Sequence, residues 1–432
     1  MKRHLIPLCG LIGILLSSGC KEKEATYQPA SPQMEARYDR SVAPIQVDVE
    51  KGMQQPKNLK LSQIGSEIEY YIVGDATFGV TQAIAIPDSN AFITFNNPRI
   101  YYRKQGIPSK RFGFKALDYK WNNAMGGRPL FYDKKTTRTY VALSGIDKTN
   151  KKDSLPGIPS IGELPPLDTM LTIFSHIFPE SLEKKYSLNT TRDSLLGFSS
   201  TGYTLCNYDA NGNITGSITT VNMKGDTLCQ IPLTHPSPSA GMKNIPKFQT
   251  YFWNEAQDMM SFMIPYCDTV FQLKDAQTVA PLYAIHFGAQ GVNSGEATGD
   301  EADKGKIELR TLQENPKALF LGFYQDGKRP ILNWLGLEET YKPLITNQAL
   351  YLKENGEIYV LPNRSKGIVN DLDEAYPFWP DGQTDNCLYM IRSVTEMRTT
   401  LERSGSPKQQ KLIELLDNPN VHERDYVMIV VR

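Results

Sequence analysis

Short runs of aromatic and β-branched residues, tight Asn-Gly and Asp-Gly turns between them, and the return of such meanders every roughly 50–65 residues predict an all-β chain. Antiparallel meanders repeated around an axis leave only short, protected sheet edges, and six of them fit between residue 59 and residue 432. The predicted fold is a six-bladed β-propeller of four-stranded antiparallel blades, with a short late helix and a last blade that takes a strand from each end of the chain. The same meanders also permit a jelly roll or two stacked sandwiches. Composition agrees with short strands and turns: 22 Tyr and 17 Phe stand beside 28 Pro and 32 Gly.

In chain order, residues 1–19 read as a secretory signal. Lys2, Arg3 and His4 open it, an apolar run without acids follows, and Ser17-Ser18-Gly19 precede Cys20. The apolar run is shorter than the ~20 residues that a membrane-spanning helix needs. A cysteine directly after small residues resembles the lipobox of bacterial lipoproteins, although Ser17 stands where an aliphatic residue is usual. The resemblance implies cleavage before Cys20, acylation of its thiol, and a membrane held through that lipid. Residues 20–58 are polar, carry scattered prolines and lack apolar periodicity, so they are expected to form a flexible tether. A lysine followed by two acids would resemble the surface-export signal of Bacteroidota lipoproteins, and in Lys21-Glu22-Lys23-Glu24 the lysine at 23 interrupts that pattern. Placement in the outer membrane is expected, on its periplasmic or its cell-surface side.

Residues 59–432 are expected to hold the propeller. The clearest meander comprises 248–253, 259–265, 269–274 and 282–288, with a loop that ends at Pro281. Another runs 82–86, 91–95 and 100–104. A third runs 203–208, 217–223 and 227–233, turning through residues 209–213 and Lys224-Gly225-Asp226. Residues 319–324, 349–353 and 357–361 give further strands around Gln325-Asp326-Gly327 and Glu354-Asn355-Gly356. A helix is expected over 407–416, with Leu412, Ile413, Leu415 and Leu416 on its apolar side. Residues 426–431 form a near-continuous apolar strand, and 68–73 are its expected partner.

Three stretches resemble the Bacteroidota six-bladed β-propeller lipoproteins. These are the opening Leu61-Ser62-Gln63-Ile64-Gly65-Ser66-Glu67-Ile68-Glu69-Tyr70-Tyr71, the middle Asp268-Thr269-Val270-Phe271 with residues 281–288, and Asn370-Asp371-Leu372-Asp373 with Pro377-Phe378-Trp379-Pro380. The Gly-rich turn of that family is replaced by Gly113-Phe114-Lys115-Ala116-Leu117-Asp118. The resemblance implies the propeller fold and supplies no reaction.

The remaining chemistry is sparse. Basic and acidic residues balance at 47 each, and no long basic run occurs, which argues against nucleic acid as a partner. Besides Cys9 and Cys20 the chain has Cys206, Cys229, Cys267 and Cys387. Cys206 and Cys229 fall on the first and third strands of one meander, about 9.6 Å apart and beyond the ~7 Å that a disulfide can bridge. All four read as buried packing residues, and no ligand spacing points to zinc. His286 and His176 lie among apolar residues and read as structural, while His235 and His422 read as solvated. Asp153-Ser154-Leu155, Asp168-Thr169-Met170 and Asp193-Ser194-Leu195 resemble Bacteroidota O-glycosylation triplets.

The candidate site is the loop 370–386, with Asn370, Asp371, Asp373, Asp381, Glu374, Asp385 and the pair Phe378 and Trp379. Alternating oxygen ligands suit calcium, although the spacing is not that of an EF-hand. Exposed rings beside carboxylates suit a glycan or peptide. The other reading makes Asn370 and Asp371 turn caps and places Phe378 and Trp379 between blades. No catalytic residue and no obligatory cofactor is expected. A monomeric binding or scaffold module for a protein or glycan is expected, the alternative being a metal-dependent hydrolase or lactonase with calcium in the channel.

Overall fold

The computed structural model describes residues 32–75, 82–86, 91–96, 99–104, 107–112, 126–133, 136–144, 160–163, 184–187, 194–198, 201–208, 214–232, 249–254, 259–263, 269–291, 307–325, 345–361, 366–384, 387–401 and 405–432. The described chain is mostly β-strand in antiparallel sheets, with few helices. It enters through β1 (Arg37–Tyr38), β2 (Ile45–Asp48), the helix α1 (Val49–Gln54) and β3 (Ile68–Asp75). The first sheet follows as β4 (Gln82–Ile86), β5 (Ala91–Asn96), β6 (Arg99–Lys104) and β7 (Ile107–Phe112). The second contains β8 (Gly126–Asp133), β9 (Arg138–Ser144), β10 (Ser160–Glu163) and β11 (Lys184–Ser187). The third contains β12 (Ser194–Phe198), β13 (Gly202–Tyr208), β14 (Ile214–Asn222) and β15 (Thr227–Pro232).

The fourth sheet is β16 (Gln249–Asn254), β17 (Met259–Met263), β18 (Thr269–Leu273) and β19 (Thr278–His286), extended by β1 and β2 in parallel with β19. The fifth is β20 (Ile307–Glu314), β21 (Ala318–Gln325), β22 (Ile345–Leu352) and β23 (Ile358–Val360). The sixth orders β24 (Gly382–Thr384), β25 (Cys387–Ser393), β26 (Asp425–Val431) and then β3 from the start of the domain. Val431 is opposite Ile68 and Ile429 opposite Tyr70, which is the pairing expected of the two ends.

The side-chain alternation of central strands explains how these sheets stack. Along β26, Val427, Ile429 and Val431 enter a core shared with Ala318, Phe320 and Leu350 of the fifth sheet. Met428 and Val430 point the other way, toward Phe92 of the first. A strand covered on both faces reads as a continuous apolar run, which is why 427–431 lacks polar alternation. β21 behaves alike: Ala318 and Phe320 face the sixth sheet, whereas Leu319, Leu321 and Phe323 join Val270, Tyr283 and Ile285 of the fourth. Phe271 and Leu273 of β18 meet Ile218, Cys229 and Ile231 of the third. The opening strands of the sheets also adjoin in sequence: β4 beside β8, β8 beside β12, β12 beside β16, β16 beside β20, β20 beside β24, and β24 beside β4.

The segment expected to be a tether up to residue 58 is, from residue 34, a strap laid along successive sheets. The Met34 amide donates to the Leu228 carbonyl of the third sheet at 2.9 Å. β1 and β2 then pair with the fourth. α1 packs on β23 of the fifth so closely that a Cβ on Gly52 would stand 2.8 Å from Val360. Beyond it, the Leu61 amide donates to the Val369 carbonyl, and the Ser66 amide to that of Arg432. Val47 and Val49 are fully buried, each a gain of about 1.5–3 kcal/mol. Edge pairing uses backbone groups and needs no apolar periodicity, so the composition of 32–58 concealed it. The folded unit therefore begins at Pro32 rather than at residue 59.

Other boundaries also move. β19 runs through Pro281, where the sequence places a loop. Pro281 sits at a register shift against β18 and between the residues paired with β1 and those paired with β2, so no neighbour requires its missing amide. Cys206 and Cys229 occupy the second and fourth strands of their sheet, not the first and third, still with one strand between them. Cys229 and Cys387 are buried, and neither forms a disulfide among the described residues. The late helix is a 3-10 turn at Pro407–Gln409 followed by α3 (Gln410–Asp417), and it is preceded by an unforeseen α2 (Val394–Thr400) that Ser393 caps. Cys20, Cys267, His176, His235, the turn at 113–118 and the triplets opened by Asp153 and Asp168 lie outside the described residues, as does Asp193, whereas Ser194 and Leu195 of the third triplet open β12.

Candidate functional site

The loop 370–384 lies between the 3-10 turn at Leu61–Gln63, β3, β25 and the late helices, and Asp371, Asp373, Glu374 and Asp381 each have a partner there. Asn370 is buried, and its amide donates to Asp373 Oδ1 at 2.6 Å and to the Tyr376 carbonyl at 3.0 Å. Asp371 reaches back to the strap: its two oxygens accept from the Ser62 amide at 2.9 Å and the Ser62 hydroxyl at 2.7 Å. Asp373, also buried, accepts from the Tyr70 hydroxyl and, at 3.1 Å, from the Ala375 amide. Burial first, and then the Asp373 carboxylate, push the Tyr70 phenol far above its ordinary range, so it remains a donor.

Asp381 Oδ2 accepts from the Ile391 amide and the Arg392 guanidinium, both at 2.7 Å. Glu374 adopts a left-handed backbone at φ 59° and pairs with Lys408 at 2.9 Å. The two rings are inside. Phe378 is fully buried, and Trp379 packs edge-on against Phe320 with centroids 5.6 Å apart. The sequence allowed these rings to be an exposed platform for a sugar or peptide. They instead plug the space between the fifth and sixth sheets, as the other reading had it. Asp385 lies outside the described residues. Among the described residues, no group of three or more His, Cys, Asp or Glu side chains is placed to hold a metal ion.

What this arrangement can do is fasten the entering strap and the last sheet to one another. Acid should loosen it. The hydrogen bonds from Ser62 outweigh partial desolvation and hold Asp371 below its ordinary range, and Lys408 does the same for Glu374. Carboxylates depressed in this way stabilise the fold above their unfolded value near pH 4, and that contribution is lost as pH falls through the folded value. The melting temperature should therefore drop as pH falls below about 4, and Asp371→Asn should drop less. An equal drop in parent and variant would show that the Ser62 contact is not involved.

Two polar clusters escaped the sequence reading. Glu314, buried at the end of β20, accepts from the Tyr283 hydroxyl at 2.6 Å and from Lys353 at 2.5 Å. At the other face of the sixth sheet, Arg432 donates to Glu69 at 3.4 Å and to the Cys387 sulfur at 2.6 Å, while Tyr71 donates to Glu69 at 2.9 Å. Apart from Tyr71 and Glu69, their partners are far apart in sequence, so no spacing could reveal them. His286 ends β19, exposed, with its ring 2.5 Å from the Gln46 side chain of the strap.

A family model described as "Domain of unknown function (DUF4933)" matches residues 29–403. No curated protein matches the chain. Among solved structures, a member of the DUF4221 family from Bacteroides vulgatus superimposes with a TM-score of 0.49 at 10% identity, covering 85% of this chain and 97% of that one. Catalytically inactive virginiamycin B lyase from Staphylococcus aureus with quinupristin gives 0.37 at 9% identity, covering 85% and 99%. A putative TolB from Agrobacterium tumefaciens gives 0.35 at 10% identity, covering 69% and 89%.

Proposed function

The chain belongs to the DUF4933 family, a domain of unknown function, and we propose, from its geometry for the fold and from its sequence for the anchor, that it is a closed six-bladed β-propeller, lipid-anchored at Cys20, that serves as a rigid binding or scaffold module at the outer membrane. The observation that carries the architecture is the succession of opening strands, in which β24 of the sixth sheet returns to β4 of the first. Face-to-face cores from the third sheet through to the first support the same ring. In such a ring every blade is braced by two others, so surface loops are presented without much movement of the frame. A non-catalytic role is supported by the acidic loop, whose Asp371, Asp373 and Asp381 are engaged by Ser62, Tyr70 and Arg392.

The anchor is carried by the signal-like residues 1–19 and by Cys20 itself. Cys20→Ala should abolish palmitate labelling and release the domain from the membrane fraction. Unchanged labelling would contradict the anchor. The binding role is tested by cross-linking the full-length chain in native membranes and identifying what is captured by mass spectrometry. A protein or glycan recovered with the parent and lost on blocking the loops supports it. A hydrolytic activity of the purified chain that calcium chelation removes would contradict it.

A further inference from the structure

The strap carries an outward chemistry that its docking does not require. Met34, Val42 and Ile45 are 41%, 51% and 42% exposed, and among the described residues Val369 is the fourth exposed large apolar side chain. Three of these four lie within residues 34–45, on the stretch that meets the outer strands β15 and β19 of the third and fourth sheets. In β2 the inward position is taken by Val47, while Ile45 faces solvent, where a polar residue would serve the pairing equally well. Arg37 and Arg40 are exposed on the same stretch, with Arg40 over the Tyr38 ring at 5.4 Å. Of its two acids, Asp39 is held by Lys274 at 2.7 Å, and Glu35 is exposed.

The position of this stretch in the chain points to what covers it. Residues 21–31 separate Cys20 from Pro32 and cannot span more than about 40 Å even when fully extended. A lipid on Cys20 therefore keeps the start of the strap within that reach of a bilayer. We infer that residues 34–45 are the membrane-contact face of the domain. Met34, Val42 and Ile45 enter the interfacial layer of the bilayer that holds Cys20, and Arg37 and Arg40 meet its anionic headgroups. The inference rests on the lipid-anchor reading and adds an orientation to it: the outer edges of the third and fourth sheets face the lipid.

The experiment uses the acylated full-length chain with vesicles of phosphatidylcholine and phosphatidylglycerol at roughly 3:1. Two quantities are read together: co-sedimentation, and amide hydrogen exchange over residues 40–46. Co-sedimentation with exchange slowed about tenfold is expected, and the slowing should weaken as salt rises. Combined Met34→Ser, Val42→Ser, Ile45→Ser, Arg37→Gln and Arg40→Gln should still co-sediment through the lipid and lose the slowing. Bound parent protein with unchanged exchange overturns the contact face alone. Failure of the parent to co-sediment overturns the anchor and the face with it. Slowing that needs no vesicles and grows with protein concentration assigns the patch to a second copy and also overturns it. The parent protein decides each case, so a variant that folds poorly does not obscure the answer.

Discussion

Removal of residues 426–432 is expected to abolish cooperative folding of the whole domain. β26 is an inner strand of its sheet, bonded to β25 on one side and β3 on the other, so its loss detaches β3 from the sheet and leaves β25 paired with the short β24 alone. Val427, Met428, Ile429, Val430 and Val431 are each no more than 1% exposed. At about 1.5–3 kcal/mol for each side chain, their burial is worth on the order of 10 kcal/mol, as much as an ordinary domain's entire stability. The loss falls on two cores at once, since alternate residues face the fifth and the first sheets. Thermal melts of the chain from Pro32, with and without the last seven residues, measure it. A truncated protein that melts within a degree or two of the parent would contradict the role of β26.

Phe378→Ala is expected to destabilise the domain by about 3–5 kcal/mol, the usual result of emptying a fully enclosed aromatic site. Phe378 is fully buried, and its amide and carbonyl are bonded to Ile368, so the backbone cannot easily collapse into the space. Gly367 sharpens the constraint. At φ 139°, its missing Cβ is what lets the Phe378 carbonyl approach to within 2.5 Å of where that carbon would stand. Urea unfolding of parent and variant reads the difference. A change below about 0.5 kcal/mol, the size typical of an exposed surface site, would return Phe378 to the role of an outward ligand platform.

The legible parts of this fold were those written in local chemistry. Asn-Gly and Asp-Gly turns and β-rich runs located β13, β15, β16, β17, β18, β21 and β23 within two residues, put the starts of β14, β19 and β22 three or four residues late, and left β12 and β20 unread, while the apolar run 426–431 marked the closing strand. Strands such as β7 (IPSKRF) and β8 (GGRPLFYD) carry charges, Gly and Pro, and passed unnoticed. The strap was illegible for another reason. Its docking is by backbone bonds to strands more than 190 residues away, such as Met34 to Leu228, and a polar segment gives no periodic sign of that.

The candidate loop shows the same division. Its residues stand out in the sequence as a dense acidic and aromatic set, but composition does not reveal direction. Whether Phe378 points in or out depends on the fifth sheet, and whether Asp371 is available depends on Ser62, 309 positions earlier. The long-range partners decide between a site and a fastener.

The most direct measurement of the central claim, that the domain is closed by its own two ends, is a cross-link between them. Ile68 and Val431 are register partners across β3 and β26. Antiparallel partners stand about 4.5–5.5 Å apart at Cα, inside the range that a disulfide bridges. In the folded chain from Pro32, Ile68→Cys with Val431→Cys should oxidise nearly completely to an intramolecular bond. It should run faster on a non-reducing gel and melt at a higher temperature than its reduced form. A folded double variant that remains as two free thiols, or that bridges only between molecules, would contradict the closure.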